Sequence, residues 1–196
     1  MDIIVSQLVI IFVLIIVSSY FVRSSSKLEG HYRLFYGISG MGYIITISLG
    51  LTSELISIDY SLIYSHILEW FRIISVVTML CGLGVKVRYA KPKIIRAPII
   101  LSFLPVLLLF VHPFVQDTLL LKDVLINFYH GGGLLIALMM YTIKAQRVKG
   151  YLRVLSGVIV ILLGYTLNFF DWNVVSVSNS VISGGLYLVY NGYKKL

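Results

Sequence analysis

The sequence predicts an all-α fold: a polytopic integral membrane protein of seven transmembrane helices, with the N-terminus outside and the C-terminus cytoplasmic. Three observations carry this reading. First, 59% of the 196 residues are hydrophobic and only 12% are charged, with a mean hydropathy of +0.95. A water-soluble domain needs a more polar exterior, so lipid is the main solvent. Second, apolar runs of about 20 residues recur along the chain, the length that crosses a bilayer core as a helix. Third, the charges alternate in sign from one end of these runs to the other. Fourteen of the 16 Lys and Arg residues fall on one side; Asp2, Glu54, Asp59, Asp117, Asp123 and Asp171 fall on the opposite side, and only Glu29 joins the basic one. Basic loops stay in the cytoplasm. An even number of spans would destroy the alternation.

The predicted spans are about 3–22, 34–53, 66–85, 97–115, 124–143, 154–170 and 174–190, forming one seven-helix domain over residues 1–196. Span one carries Asp2 where a signal peptide has positive charge, and its run from Ile3 to Val22 is too long for a signal h-region, so it is read as a retained helix. Arg23, Lys27 and Arg33 mark the cytoplasmic loop that follows, with Ser24-Ser25-Ser26 as the one low-complexity patch and His31 expected in solvent. Span two contains Gly37-Ile38-Ser39-Gly40, a small-residue packing face.

Span three has only thirteen uncharged residues from Ile73 to Val85, about 20 Å of helix against a hydrocarbon core of about 30 Å. To cross, it must recruit residues before Arg72, which draws Glu69 and His66 toward the membrane. The alternative is a short tilted helix with Glu69-Trp70-Phe71-Arg72 at the interface, where a tryptophan belongs. The basic stretch after it is expected to be a loop: Lys86, Arg88, Lys91, Lys93 and Arg96. Span four holds Pro98 in its first turn, Pro105 in its interior as the candidate hinge with a freed backbone carbonyl, and Pro113 beside His112 at its outer end.

Span five runs for twenty residues without a full charge between Asp123 and Lys144. It carries Asn127 and His130, then Gly131, Gly132 and Gly133. Each glycine costs about 1 kcal/mol against alanine inside a helix, so the three are expected to permit close approach of a helix or ligand. Spans six and seven form an antiparallel hairpin around Asp171-Trp172-Asn173. Ser176, Asn179, Ser180 and Ser183 share one face of span seven, followed by Gly184 and Gly185, and that face is expected to look into the bundle.

At 1.5 Å per residue, His130 lies roughly 10 Å below the outer surface and Arg72 at a similar depth. Asn127, Asn168 and Asn179 fall in the same outer half, with His66 and His112 at the rim. Ionisable groups in a membrane usually pair and line a cavity. The expected site is therefore an outward-facing polar pocket of Glu69, Arg72, Asn127, His130, Asn168 and Asn179, with Glu69 and Arg72 pairing at i, i+3.

Catalytic chemistry finds weaker footing. His66 and His130 lie in the same half and could ligate a b-type haem, but four-helix b-type cytochromes usually use four core histidines, and His31 and His112 are placed elsewhere. Zinc could draw on His66, Glu69, His112, Asp117, Asp123 and His130, yet the HxxxH of the seven-helix hydrolases related to alkaline ceramidases is absent. Gly37-Ile38-Ser39-Gly40 is similar to the GxSG motif of rhomboid proteases. Ser39, however, lies near the inner side and His130 near the outer side, too far apart for a nucleophile and its base. Cys81 is the lone cysteine, so no disulfide or CxxC site exists, and a buried structural thiol is expected.

No cofactor is expected, with haem and zinc as the alternatives set aside. The net charge of +8 is spread over short loops, which excludes a nucleic-acid partner and leaves the lipid bilayer, plus a protein partner at the cytoplasmic basic loops 86–96 and 144–153. In span count and orientation the chain resembles the membrane sensor regions of some bacterial signalling proteins. The sequence thus points to a non-enzymatic module of the bacterial cytoplasmic membrane that binds a small or lipid-like ligand or holds partner subunits. The competing readings are a membrane enzyme or redox protein using His66 and His130 with Glu69 and Arg72, and a small secondary transporter moving about Pro105.

Overall fold

In the computed structural model, which describes residues 3–26, 31–56, 62–90, 99–114, 119–170 and 175–196, every regular element is a helix. Seven are α-helices: α1 (Ile3–Arg23), α2 (His31–Ile56), α3 (Leu62–Ala90), α4 (Leu107–Val111), α5 (Leu119–Arg147), α6 (Tyr151–Phe170) and α7 (Val175–Lys194). Tighter 3-10 turns close α1 at Ser24–Ser26, lead into α4 over Ile99–Val106 and follow it over His112–Phe114. The stretches Ile3–Arg23, His31–Ser53, His66–Arg88 and Val124–Arg147 are long and apolar enough to cross a membrane. Ser102–Phe114 and Tyr151–Leu167 are shorter apolar stretches.

Two features fit these helices to lipid. Large apolar side chains such as Phe12, Phe110, Phe128 and Met139 are exposed in mid-helix, which is costly in water and natural among acyl chains. Hydroxyls that have no water to bond return to their own helix: Thr46 donates to Gly42 O, Thr78 to Ile74 O, Thr142 to Leu138 O and Thr166 to Leu162 O.

The rod from Ile99 to Phe114 is only 16 residues long, about 24 Å as continuous α-helix. The 3-10 rise of about 2.0 Å per residue stretches it to roughly 30 Å, the thickness of the hydrocarbon core. Pro105 sits at the junction where the 3-10 stretch becomes α4. A 3-10 register pairs each N–H with the carbonyl three residues back, so this proline frees Ser102 O. That oxygen faces Gly84 of α3, where a Cβ would lie 3.0 Å from it.

The chain divides into two compact units, one of residues 18–133 and one of residues 1–17 with 134–196. In the first, Ile73, Val77 and Cys81 form a stripe along α3 that packs on Phe35 of α2 and on Phe103, Val106, Leu108 and Leu109 of the rod. α2 and α3 run antiparallel: Gly42 lies against Ser75, while Gly82 lies against Phe35 and Tyr36. Ser39 Oγ donates to Ser75 O at 2.7 Å between them, which ties the hydroxyl of the GxSG-like motif into packing. α3 and α5 run parallel, since Glu69 meets Lys122 and, about three turns further in, Met79 and Leu80 meet Gly133.

In the second unit, α6 and α7 pack backbone to backbone. Cβ atoms at Gly157 and Gly185 would lie 2.7 and 2.8 Å from each other's carbonyl oxygens, and one at Gly192 would lie 2.9 Å from Val154 N. Ser178 Oγ donates to Gly164 O at 2.7 Å. The seam of α7 is therefore Ser178, Gly185 and Gly192, spaced by seven. The polar face expected to turn inward is largely satisfied on its own helix, with Ser180 donating to Ser176 O and Ser183 to Asn179 O.

One expectation is corrected. Lys86 and Arg88 are not in a loop: α3 continues through both to Ala90, and the Lys86 side chain is 1% exposed with Nζ 4.2 Å from the centre of the Tyr32 ring. Of the glycine triplet, Gly133 packs on Met79 and Leu80, while among the described residues a Cβ at Gly131 or Gly132 would meet nothing within 4 Å. Lys27, Lys91, Lys93, Arg96, Pro98 and the turn Asp171-Trp172-Asn173 lie outside the described residues.

Candidate functional site

Glu69 lies two turns into α3, where the helix meets both the end of the rod and the start of α5. Its Oε1 accepts His112 Nε2 at 2.6 Å and lies 3.2 Å from Lys122 Nζ, while Oε2 is 3.7 Å from His66 Nδ1. The side chains of His112, Lys122 and Glu69 are 5%, 10% and 16% exposed, whereas that of His66 is 52% exposed. A carboxylate has room for about four hydrogen bonds, so one oxygen can serve two donors. With both donors in place the cost of desolvating the carboxylate is met locally, as a buried charge requires.

Each donor has a local cause. His66 and Glu69 are at i, i+3 and share a helix face. His112 begins the 3-10 turn before Pro113, and the Trp70 ring meets it edge-on with centroids 5.8 Å apart. Lys122 stands in the first turn of α5, from which its ammonium reaches Glu69.

Deeper in the same unit, Tyr43 of α2 meets His130 of α5. The phenol oxygen lies 3.2 Å from Nδ1, and the two rings stack with centroids 5.5 Å apart. Arg72 lies one turn further along α3 from Glu69. Asn127 is half-buried one turn above His130 on α5. The two tiers are therefore an ion cluster at the end of α3 and α5 and an aromatic–imidazole pair about 12 Å further along α5.

Of the residues expected in the pocket, Glu69, Arg72, Asn127 and His130 belong to the 18–133 unit, and Asn168 and Asn179 to the other. Asn179 Nδ2 donates to Ser6 Oγ at 3.3 Å, linking α7 to α1. Asn168 lies on α6, and its side chain is outside the described residues. Beyond the i, i+3 neighbour Arg72 that the sequence offers, the Glu69 carboxylate holds His66, His112 and Lys122. Sequence reasoning missed Lys122 and Tyr43. Lys122 left a signal, being a cation stranded among acids beyond the basic loops. Tyr43 left none among 14 tyrosines.

Chemically, the cluster is a shared carboxylate with its own cation. Among the described residues no three His, Cys, Asp or Glu side chains converge as metal ligands, and the Lys122 ammonium stands where a cation would approach Oε1. Such an arrangement can bind, exchange partners and couple helices. No family model, curated relative or solved structure matches the chain.

Proposed function

We propose that this chain is a non-enzymatic seven-helix membrane module whose outer half carries a polar site for a small or lipid-like ligand. It works as a sensor or receptor, or as an accessory subunit of a larger complex, in the bacterial cytoplasmic membrane. The seven spans are α1, α2, α3, the Ile99–Phe114 rod, α5, α6 and α7, with the N-terminus outside. Support for the orientation comes from the charge alternation, which places the Glu69 cluster outward.

The observation that carries the reading is the sharing of Glu69 Oε1 between His112 and Lys122. One carboxylate ties α3, the rod and α5. A ligand bearing its own charge can exchange for one of these partners and so loosen or tighten three spans at once. That is a binding-linked change of state, not a reaction.

Trp70 reports on this site, because its ring borders His112. With Trp172→Phe, Trp70 is the sole tryptophan. Purified protein is titrated with amino acids, short carboxylates and fatty acids. The reading expects one class to change Trp70 emission saturably, and Glu69→Gln to abolish the response. A stoichiometric haem absorbance band or bound zinc in the purified protein would favour the enzyme or redox alternative instead.

A further inference from the structure

The unit of residues 1–17 and 134–196 gathers its charge at one end. Lys144 and Arg147 lie in the last turns of α5, Lys149 in the tight turn, Arg153 in the first turn of α6 and Lys194 at the end of α7, followed by Lys195. These segments are clamped together. A Cβ at Gly150 would lie 2.7 Å from Leu196, Gly192 packs on Val154, the Tyr141 and Tyr193 hydroxyls hydrogen-bond, and Lys144 Nζ sits 5.2 Å from the centre of the Tyr151 ring. Arg147, Lys149, Arg153, Lys194 and Lys195 are exposed.

None of the described residues of this unit is Asp or Glu. Helix ends supply little compensation. Two helix C-termini and one N-terminus meet here, each worth about half a charge, so together they offset roughly half of one charge against the five exposed cations. The patch therefore carries a positive potential that attracts an external anion.

The surface next to the patch says which kind. Ile136, Met139 and Ile143 line an exposed face of α5 that leads to Arg147, and Leu152, Ile159 and Leu163 line an exposed face of α6 that starts beside Arg153. An anionic head and an apolar tail in register fit this surface; an acidic protein would match only half of it. We propose that this end of the α5–α6–α7 arrangement is a binding site for anionic phospholipid, with the phosphates on Arg147, Lys149, Arg153 and Lys194 and the acyl chains along α5 and α6. The proposal rests on the membrane-spanning part of the reading above, though not on the Glu69 site.

The probe is phosphatidylglycerol, compared with phosphatidylcholine, added to detergent-purified protein and counted by native mass spectrometry. The patch variant is Arg147→Gln with Lys149→Gln, Arg153→Gln and Lys194→Gln. The control removes the same charge through Lys27→Gln, Lys91→Gln, Lys93→Gln and Arg96→Gln. A cation near an anionic membrane surface strengthens attachment on the order of fivefold, so the patch variant is expected to bind phosphatidylglycerol at least tenfold more weakly, with the control unchanged. Equal loss in both variants, or no preference over phosphatidylcholine, would overturn the site. So would competition by soluble glycerophosphate at the affinity of the whole lipid, or patch-dependent capture of polyglutamate without a lipid preference. Carbonate-resistant membrane association of the wild type, measured alongside, separates failure of this site from failure of the membrane reading; the Trp70 response of the patch variant stays intact if only the lipid site is lost.

Discussion

Lys122 Nζ and His112 Nε2 converge on one oxygen of Glu69, at 3.2 and 2.6 Å, and each comes from a different segment of the chain. Removing one member leaves charge stranded in a poorly solvated place. Breaking a buried pair costs about 3–5 kcal/mol, while replacing both partners with apolar groups can be nearly neutral. The 10–16% exposure of this pair puts the expected cost of Lys122→Met near the lower end, about 3 kcal/mol. Glu69→Leu combined with Lys122→Met should recover more than half of that loss. Thermal melting in detergent checks it; a double variant as unstable as the sum of the singles would mean the two residues do not act together.

Gly133 and its neighbours should respond differently to added side chains. Leucine at Gly133 drives into Met79 and Leu80 and should cost about 1–3 kcal/mol by overpacking. Alanine at Gly131 or Gly132 meets open space and should be neutral or stabilising, by up to about 1 kcal/mol of helix propensity. Equal losses at all three positions would show a partner on the open face.

The α6–α7 seam should tolerate nothing. At Gly157 and Gly185 the obstacle to a methyl group is a backbone oxygen, which cannot swing aside like a side chain. Gly157→Ala and Gly185→Ala should each cost about 2–3 kcal/mol, within the range of overpacking, whereas Gly184→Ala should be silent because among the described residues nothing lies within 4 Å of a Cβ there. Melting temperatures of the three variants decide; parity between Gly184 and Gly185 would contradict the seam.

Gly84 makes a sharper test of the rod. A Cβ there meets the backbone of Ser102 at 3.0–3.5 Å, so Gly84→Ala should be mild. Gly84→Val should cost about 1–3 kcal/mol. Loss of helical signal on Pro105→Ala would also argue against the 3-10 geometry, since restoring the N–H should favour a shorter α-helix instead.

How much of this was legible depends on what each residue's neighbours encode. The helices were readable because apolar runs bounded by charge set their length. Lys86 was not legible because charge ordinarily marks the end of a span, whereas a lysine can bury its stem and place its ammonium on a tyrosine ring. Consecutive helical residues turn by about 100°, so Gly131, Gly132 and Gly133 face different neighbours, and among the described residues Gly133 is the one whose Cβ position meets side chains within 4 Å. Conversely, the seven-residue spacing of Gly157 with Gly164, and of Ser178 with Gly185 and Gly192, was present in the sequence and is the period that keeps one seam in contact. The Glu69 cluster joins residues 69, 112 and 122 through tertiary contacts, and only the lone position of Lys122 among acids hinted at it.

The account stands on the cluster facing outward. With Cys81 replaced by Ser, which removes the lone cysteine, single cysteines at Gln116, in the sequence between the rod and α5, and at Lys149 and Lys195, in the basic patch, are treated in intact cells with a membrane-impermeant maleimide. The account predicts labelling at Gln116 without permeabilisation, and labelling at Lys149 and Lys195 only after it. Labelling of Lys149 or Lys195 in intact cells, with Gln116 protected, would contradict it.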